Sequence, residues 1–366
     1  MQLAYLSDAA IPSREANSIQ TMKMCEAFAT HGHTVELVCS TNTSQTVTDI
    51  FDYYGISTKY SIDRVPWKPL KGYQFSVLAA LEALRFDADI VYARSIAGSY
   101  FSALLGLDVI LEAHVPLDDR HPITDRMFTS LIQHSNFVSL VVITDSLRSY
   151  YEDQYELGNK LQVAHDAATR QDGTPIEKIQ QRAGQQVGYV GHLYEGKGIE
   201  LIIELATEVP EDTFHVVGGT KEDVNYWKTQ TTDIENVVFH GHVPPANVED
   251  YLASFDTVLA PYQTTVKGAG GDADLSRWMS PLKIFEYMSA GKPIVCSDLP
   301  VLREVLVDGE NALLCAPENV SEWAAALRTL RADSQLRETL IQNAQSDFET
   351  QYSYSARSKF ILDSYK

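Results

Sequence analysis

Short apolar runs alternate with amphipathic stretches along almost the whole chain, and the alternation runs twice. In the first half Leu3–Ser7, Thr34–Cys39, Ile90–Tyr92, Val109–Glu112, Val138–Ile143 and Leu161–Ala164 read as strands. Ser18–His31, Gln74–Arg85, Ser95–Leu105, Pro122–His134 and Ser146–Tyr155 read as helices, the last with Asp145 as its cap. A polar stretch, 169–186, with Gly173, Thr174 and Pro175, interrupts the pattern and predicts a domain boundary. The alternation then restarts. Val187–Val190, Phe214–Val217, Val237–Phe239, Val258–Ala260 and Pro293–Cys296 read as strands. Gly198–Thr207, Asn247–Ser254 and Pro281–Ala290 read as helices, followed by helical pattern over Val320–Arg331, Ser334–Phe348 and Ser353–Tyr365. Strands alternating with helices make βαβ units and mostly parallel sheets. At 366 residues, two such domains are expected, 1–170 and 171–349.

The formal net charge is −20, and residues 1–170 and 171–366 are each acidic. Nucleic acid wants a basic footprint and anionic lipid a basic face, so neither is an expected partner; membrane contact is peripheral at most. An anionic ligand would have to be held by local dipoles and a few cations. Cys25, Cys39, Cys296 and Cys315 are scattered, without C-x-x-C or metal-ligand spacing, and read as buried free thiols of a reducing compartment. Met1–Leu6 enters a strand pattern without a basic leader, and no apolar run has the length of a membrane span. The expected location is the cytoplasm.

Two blocks in the second half carry chemistry. Val187-Gly188-Tyr189-Val190-Gly191-His192 ends a strand, and Glu195-Gly196-Lys197-Gly198 opens a helix. Glycines let a ligand approach the backbone, a helix start offers free N–H groups, and Lys197 adds a cation, which together suit a diphosphate. Ser280-Pro281-Leu282-Lys283 opens a second helix after the glycine-rich loop Lys267–Gly271, with Pro281 expected in its first turn and Lys283 beside the same phosphates. Glu286 follows on that helix, where a carboxylate can accept both hydroxyls of a ribose.

These blocks resemble glycosyltransferase family 4, the large retaining family of GT-B fold. The resemblance rests on Val187–Gly198; on Phe239-His240-Gly241-His242-Val243 with Phe255-Asp256 and Pro261-Tyr262; and on Ser280–Val295 with Asp298-Leu299-Pro300, Arg303-Glu304-Val305 and Asp308–Ala312. It covers 187–330. The first half is similar more loosely, through Ser13–His33, Asp89–Arg94 and Leu111–His114. The resemblance implies an α/β GT-B fold: two Rossmann-like doubly wound domains facing each other across a cleft, with a C-terminal helix, about 350–366, returning to the N-terminal, acceptor-side domain. It implies a retaining, metal-independent transfer of a hexose-type sugar from a nucleotide sugar, UDP rather than GDP, to a glycan or glycolipid. No cofactor is implied, and the oligomeric state stays open.

The same resemblance assigns residues. Gly191, His192 and Lys197 would meet the pyrophosphate with Ser280, Pro281, Leu282 and Lys283. His242 and Val243 would read the base, and Glu286 would hold the ribose. His114 would point at the donor sugar. Arg14, Ser18 and Arg94 would face the acceptor. His192 stands where relatives commonly have Arg, which weakens the phosphate clamp or makes it pH-sensitive. Trp278 stands where many have a sugar-contacting Glu; Asp272 or Asp274 are the alternatives for that contact. Asp272-Ala273-Asp274 has metal-binding spacing but lies in the wrong domain for that role. Tyr53, Tyr54, Trp67 and Tyr73 suit an acceptor platform or core packing equally. The rival readings are a nucleotide-releasing sugar epimerase, a catalytically impaired GT-B partner protein, and a dinucleotide oxidoreductase; Ala9–Arg14 stands where the last would need G-x-G-x-x-G.

Overall fold

A computed structural model describes the chain except residues 44–45, 67–72, 118–121, 181, 183, 268–273, 364 and 366. It divides into two compact units, Met1–Asp166 with Tyr354–Lys366, and Ala167–Ser353.

The first unit holds β1 (Gln2–Ser7), β2 (Thr34–Ser40), β3 (Ser61–Val65), β4 (Ile90–Ala93), β5 (Asp108–Ala113), β6 (Phe137–Val142) and β7 (Leu161–Val163). They form one parallel seven-stranded sheet in the order β3-β2-β1-β4-β5-β6-β7. Helices cover a parallel sheet on both faces, so its central strands are buried throughout, and Ile90–Ala93 is fully buried. That double burial is why these strands read as continuous apolar runs. Edge strand β3 has only Ile62 and Val65 as apolar residues and was not foreseen, nor was the short helix Ile50–Tyr54. The cap of helix Asp145–Gln154 is Thr144, whose hydroxyl accepts from the Leu147 amide; Asp145, the expected cap, is its first residue. The chain returns to this unit with helix Tyr354–Asp363, which buries Arg357, Ser358, Ile361 and Leu362.

The second unit holds β8 (Gln186–Val190), β9 (Thr213–Val217), β10 (Val237–Gly241), β11 (Thr257–Ala260), β12 (Ile294–Ser297) and β13 (Leu313–Cys315). These are parallel in the order β10-β9-β8-β11-β12-β13. Successive residues alternate between two cores, one per face: Val258, Ala260, Ile294 and Cys296 lie in one, Leu259 and Val295 in the other. Helix Lys221–Gln230 and strand β13 were not foreseen. The polar stretch taken as a boundary is strapped onto this unit: the amides of Gln171, Thr174 and Ile176 donate to Ser289 Oγ, Asp250 Oδ1 and Ser254 Oγ at 2.9, 2.8 and 2.6 Å. The division therefore falls before it, at Asp166/Ala167. Pro281 sits in extended backbone immediately before helix Leu282–Ser289, one position ahead of the expected first turn.

Both sheets reverse their winding once, between β1 and β4 and between β8 and β11. Ligands of open α/β sheets bind outside the strand carboxyl ends at such reversals. The four cysteines are free and buried. Among the described residues no helix is long and apolar enough to cross a membrane.

Candidate nucleotide-sugar site

At the second reversal, Gly191 follows β8 and Tyr262 follows β11. Tyr287, from helix Leu282–Ser289, laces the two strands: its hydroxyl accepts from the Val190 amide at 2.9 Å and donates to the Leu259 carbonyl at 3.2 Å. This hydroxyl fixes the helix so that Lys283, one turn earlier, lies under the β8 turn. Lys283 is 8% exposed. Its Nζ lies 3.8 Å from the Tyr189 ring centroid and 5.0 Å from that of Tyr262. It makes no hydrogen bond among the described residues. Lys197 Nζ lies 5.0 Å from the same Tyr262 ring. Two ammonium groups thus converge on one tyrosine.

Burial pushes the Lys283 ammonium well below its ordinary range, and Lys197 lowers it further against a smaller opposing effect of Glu286. Burial pushes Lys197 down to about 8. An ammonium placed where it is poorly solvated and beside a second one wants an anion. Gly191 leaves room for it. A methyl there would stand 2.8 Å from Lys283 Nζ, and its φ of 150° is one that L residues rarely adopt. The Gly191 amide is spent on the Val217 carbonyl at 2.9 Å, so the glycine serves by having no side chain. Gly198 (φ 78°) opens helix Ile199–Glu208, where a side chain would collide with the Pro261 carbonyl oxygen.

His192 stacks on Tyr194 with ring centroids 4.7 Å apart. Burial, then Lys197, Lys283 and His242, push it down to about 4, so near neutral pH it is an uncharged donor or acceptor and not a substitute for Arg. Ser280 is buried, while Pro281, Leu282, Glu286, His242 and Val243 are half-buried around these turns. Asp274 is occupied in its own loop, accepting from the amides of Val266 and Ser276 and the Ser276 hydroxyl. Arg277 stacks on Trp278, 4.8 Å from its ring centroid. Asp272, Trp67 and residues 268–271 of the glycine-rich loop lie outside the described residues.

In the first unit a cavity of about 130 Å³ opens at the β1/β4 reversal, with Asn17, Arg94, Glu112 and His114 in its lining. Glu112 is 1% exposed. Its Oε2 meets Arg357 Nη2 at 2.8 Å and its Oε1 meets His114 Nε2 at 2.5 Å, with Arg94 Nε at 3.6 Å. Burial opposes the Glu112 charge, but Arg357, His114 and Arg94 outweigh it and hold the carboxyl well below its usual range. Arg94 also donates to the Asn17 carbonyl at 3.1 Å. Of the expected acceptor-side residues, Arg94 lines the cavity, whereas Arg14 is exposed elsewhere. Ser18 is fully buried, accepting from Ser13 Oγ at 2.9 Å and donating to the carbonyls of Ser13 and Glu15. It fastens the loop after β1 instead of facing a ligand.

Comparison with known proteins agrees with this fold. The family Glycosyl transferases group 1 matches residues 184–333. Anabaena Alr3699/HepE in complex with UDP superposes with a TM-score of 0.75 at 16% identity, covering 100% of this chain and 99% of that one. The chain has the GT-B fold, and its second unit is similar to the group 1 glycosyltransferases. The GT-B chain is also 27% identical over 245 residues to the phosphatidyl-myo-inositol mannosyltransferase of Mycolicibacterium smegmatis, covering 64% of this chain and 58% of that protein. TuaH of Bacillus subtilis, named for teichuronic acid biosynthesis, is 30% identical over 124 residues, 33% of this chain and 29% of that one. The matches thus span less than two thirds of either relative. Within residues 184–333, the residues missed from sequence are Tyr189, Tyr262 and Tyr287, each in a quoted block but given no role of its own. In the remainder of the GT-B chain, Glu112 and Arg357 were missed; the charge of Glu112 inside an apolar strand was the available signal.

Proposed function

We propose that the protein is a retaining, metal-independent glycosyltransferase of the cytoplasm that moves a hexose-type sugar from a UDP-sugar to a glycan or glycolipid hydroxyl. One observation carries this reading: two poorly solvated lysines, Lys197 and Lys283, converge beside Gly191 where the strands reverse. They supply, in place of a divalent cation, the positive charge that a departing diphosphate needs, preorganised before the reaction begins. In this reading the starts of helices Ile199–Glu208 and Leu282–Ser289 add their dipole ends. His242 and Val243 meet the base, Glu286 the ribose, and Ser280, Pro281 and Leu282 line the phosphates with His192 as a neutral hydrogen-bonding group. His114 and Arg94 serve the sugar and acceptor from the cavity of the first unit. The UDP and UDP-glucose complexes of Anabaena HepE support uridine as the base.

The acceptor oxygen attacks the sugar carbon on the face the phosphate leaves. The carbon–phosphate-oxygen bond breaks as the new glycosidic bond forms, and the hydroxyl proton passes to the departing phosphate oxygen. No protein nucleophile is consumed. The test is nucleotide release and product NMR across a panel of UDP- and GDP-sugars with glycan and glycolipid acceptors, each with and without EDTA. The expected result is UDP release with a product of unchanged anomeric configuration, indifferent to EDTA. An inverted product, or loss of activity with EDTA, contradicts the mechanism.

Trp278, paired with Arg277 where relatives carry a sugar-contacting carboxylate, favours a second reading, a nucleotide-sugar-binding partner without turnover. UDP binding with no product from any acceptor decides for it.

A further inference from the structure

The chain leaves the first unit after Asp166 and re-enters it at Tyr354. Arg357, on the returning helix, is 2% exposed and grips the departing segment. Its Nε donates to the His165 carbonyl at 2.7 Å and its Nη2 to the Ala164 carbonyl at 3.1 Å. The same Nη2 reaches Glu112 at 2.8 Å. Tyr92 donates to Glu112 Oε2 as well, and Gln20 Nε2 donates to Glu112 Oε1 at 3.4 Å and to the buried carboxyl of Asp166. Arg357, Tyr92 and Gln20 thus all donate to Glu112. A carboxylate can only accept, so the 2.5 Å contact with His114 requires the hydrogen on Nε2, which makes Nδ1 the lone-pair nitrogen of the neutral ring.

We propose that Arg357 and Glu112 are positioning residues that lock His114 as the Nε2–H tautomer, so that its Nδ1 accepts a hydrogen bond from a substrate hydroxyl in the first-unit cavity. The second clause rests on the glycosyltransferase reading; the first does not. The carboxylate orients the imidazole, and the arginine keeps the carboxylate in place from nearly 250 residues away in sequence, at |i−j| = 245. Glutamine at position 112 has a single acceptor oxygen, which Arg357 and Tyr92 claim. Its amide NH₂ then faces His114 and requires a lone pair on Nε2, the opposite tautomer.

The test uses full-length protein labelled with ¹⁵N-histidine, the His114 signals being identified by their loss in His114→Gln. Multiple-bond ¹⁵N–¹H spectra at pH 8 are expected to show Nε2–H in the wild type and in Arg357→Lys, and Nδ1–H or a mixture in Glu112→Gln. Transfer kcat is expected to fall about tenfold or more in Glu112→Gln, with Arg357→Lys retaining most of it and UDP affinity within about twofold in both. A wild-type Nδ1–H signal, or an unchanged tautomer and kcat in Glu112→Gln, overturns the proposal. Should Glu112→Gln not fold, loss of the Nε2–H tautomer in Arg357→Lys overturns it and retention supports it. Failure of the wild type to bind UDP defeats the glycosyltransferase reading while leaving the tautomer result intact.

Discussion

Lys283 Nζ stands 3.8 Å from the centre of the Tyr189 ring and makes no hydrogen bond among the described residues. A ring face attracts a cation, but it replaces only part of the hydration an ammonium loses on burial. Lys283 is therefore carried at a cost to folding, and its use lies in what binds next to it.

That cost gives a trade-off between stability and binding. Lys283→Met keeps the apolar stem and removes the charge, so the unliganded protein is expected to be more stable by about 1 kcal/mol. UDP affinity is expected to fall by about tenfold to a hundredfold, the worth of a charge-assisted hydrogen bond of about 1.5–3 kcal/mol. Denaturant melts and isothermal titration check the two halves. A destabilised variant that binds UDP as well as the wild type does would remove Lys283 from the site.

Lys197 adds a pH signature. Burial holds it at about 8 in the free protein, and a diphosphate alongside favours the charged form and raises it. UDP affinity is expected to hold below pH 8 and to fall as pH rises above it. At pH 8.5 binding is expected to take up about three quarters of a proton at Lys197, read from titrations in two buffers of different ionisation enthalpy. No uptake in the wild type, or the same uptake in Lys197→Met, contradicts the assignment.

His215 and His240 give the second unit an acid limit. His215 is 1% exposed, with Nδ1 against His240 Nε2 and Nε2 against Gln186 Oε1, each at 2.9 Å. Burial, then His240 and Arg182, push His215 down to about 3; burial, then Arg182 and Lys228, push His240 down to about 4. The folded state thus stays neutral where the unfolded chain, titrating near 6.5, binds protons. Stability is expected to fall as pH drops from 6.5 toward 4, with a slope approaching about 1.4 kcal/mol per pH unit for each histidine. Unfolding midpoints from pH 4 to 7 test this; His215→Gln should flatten the slope, and an equal slope in that variant would refute the cause.

Much of this fold is legible in sequence because parallel strands buried on both faces read as apolar runs, as Ile90–Tyr92 and Val187–Val190 do. Strands β3 and β13 escaped because Ser61–Val65 alternates weakly at an edge and Leu313–Cys315 is only three residues long. Lys197 and Lys283 were legible because cations beside glycines at helix starts are informative in themselves. Their convergence on Tyr262 was not, since it depends on Tyr287 joining β8 to β11. Ser18 misled for a related reason: a polar residue at a helix start suits a ligand or a loop carbonyl equally, and packing decided for the carbonyls of Ser13 and Glu15. Arg357 lies in the last helix, and nothing local to it points to Glu112.

A crystal structure of the protein with UDP tests the central claim most directly. The expected result is a diphosphate beside Gly191, with Lys283 Nζ drawn off the Tyr189 ring to within about 3 Å of a phosphate oxygen and Lys197 Nζ close by. UDP bound elsewhere, or bound here with Lys283 still on the ring and touching no phosphate, would contradict it.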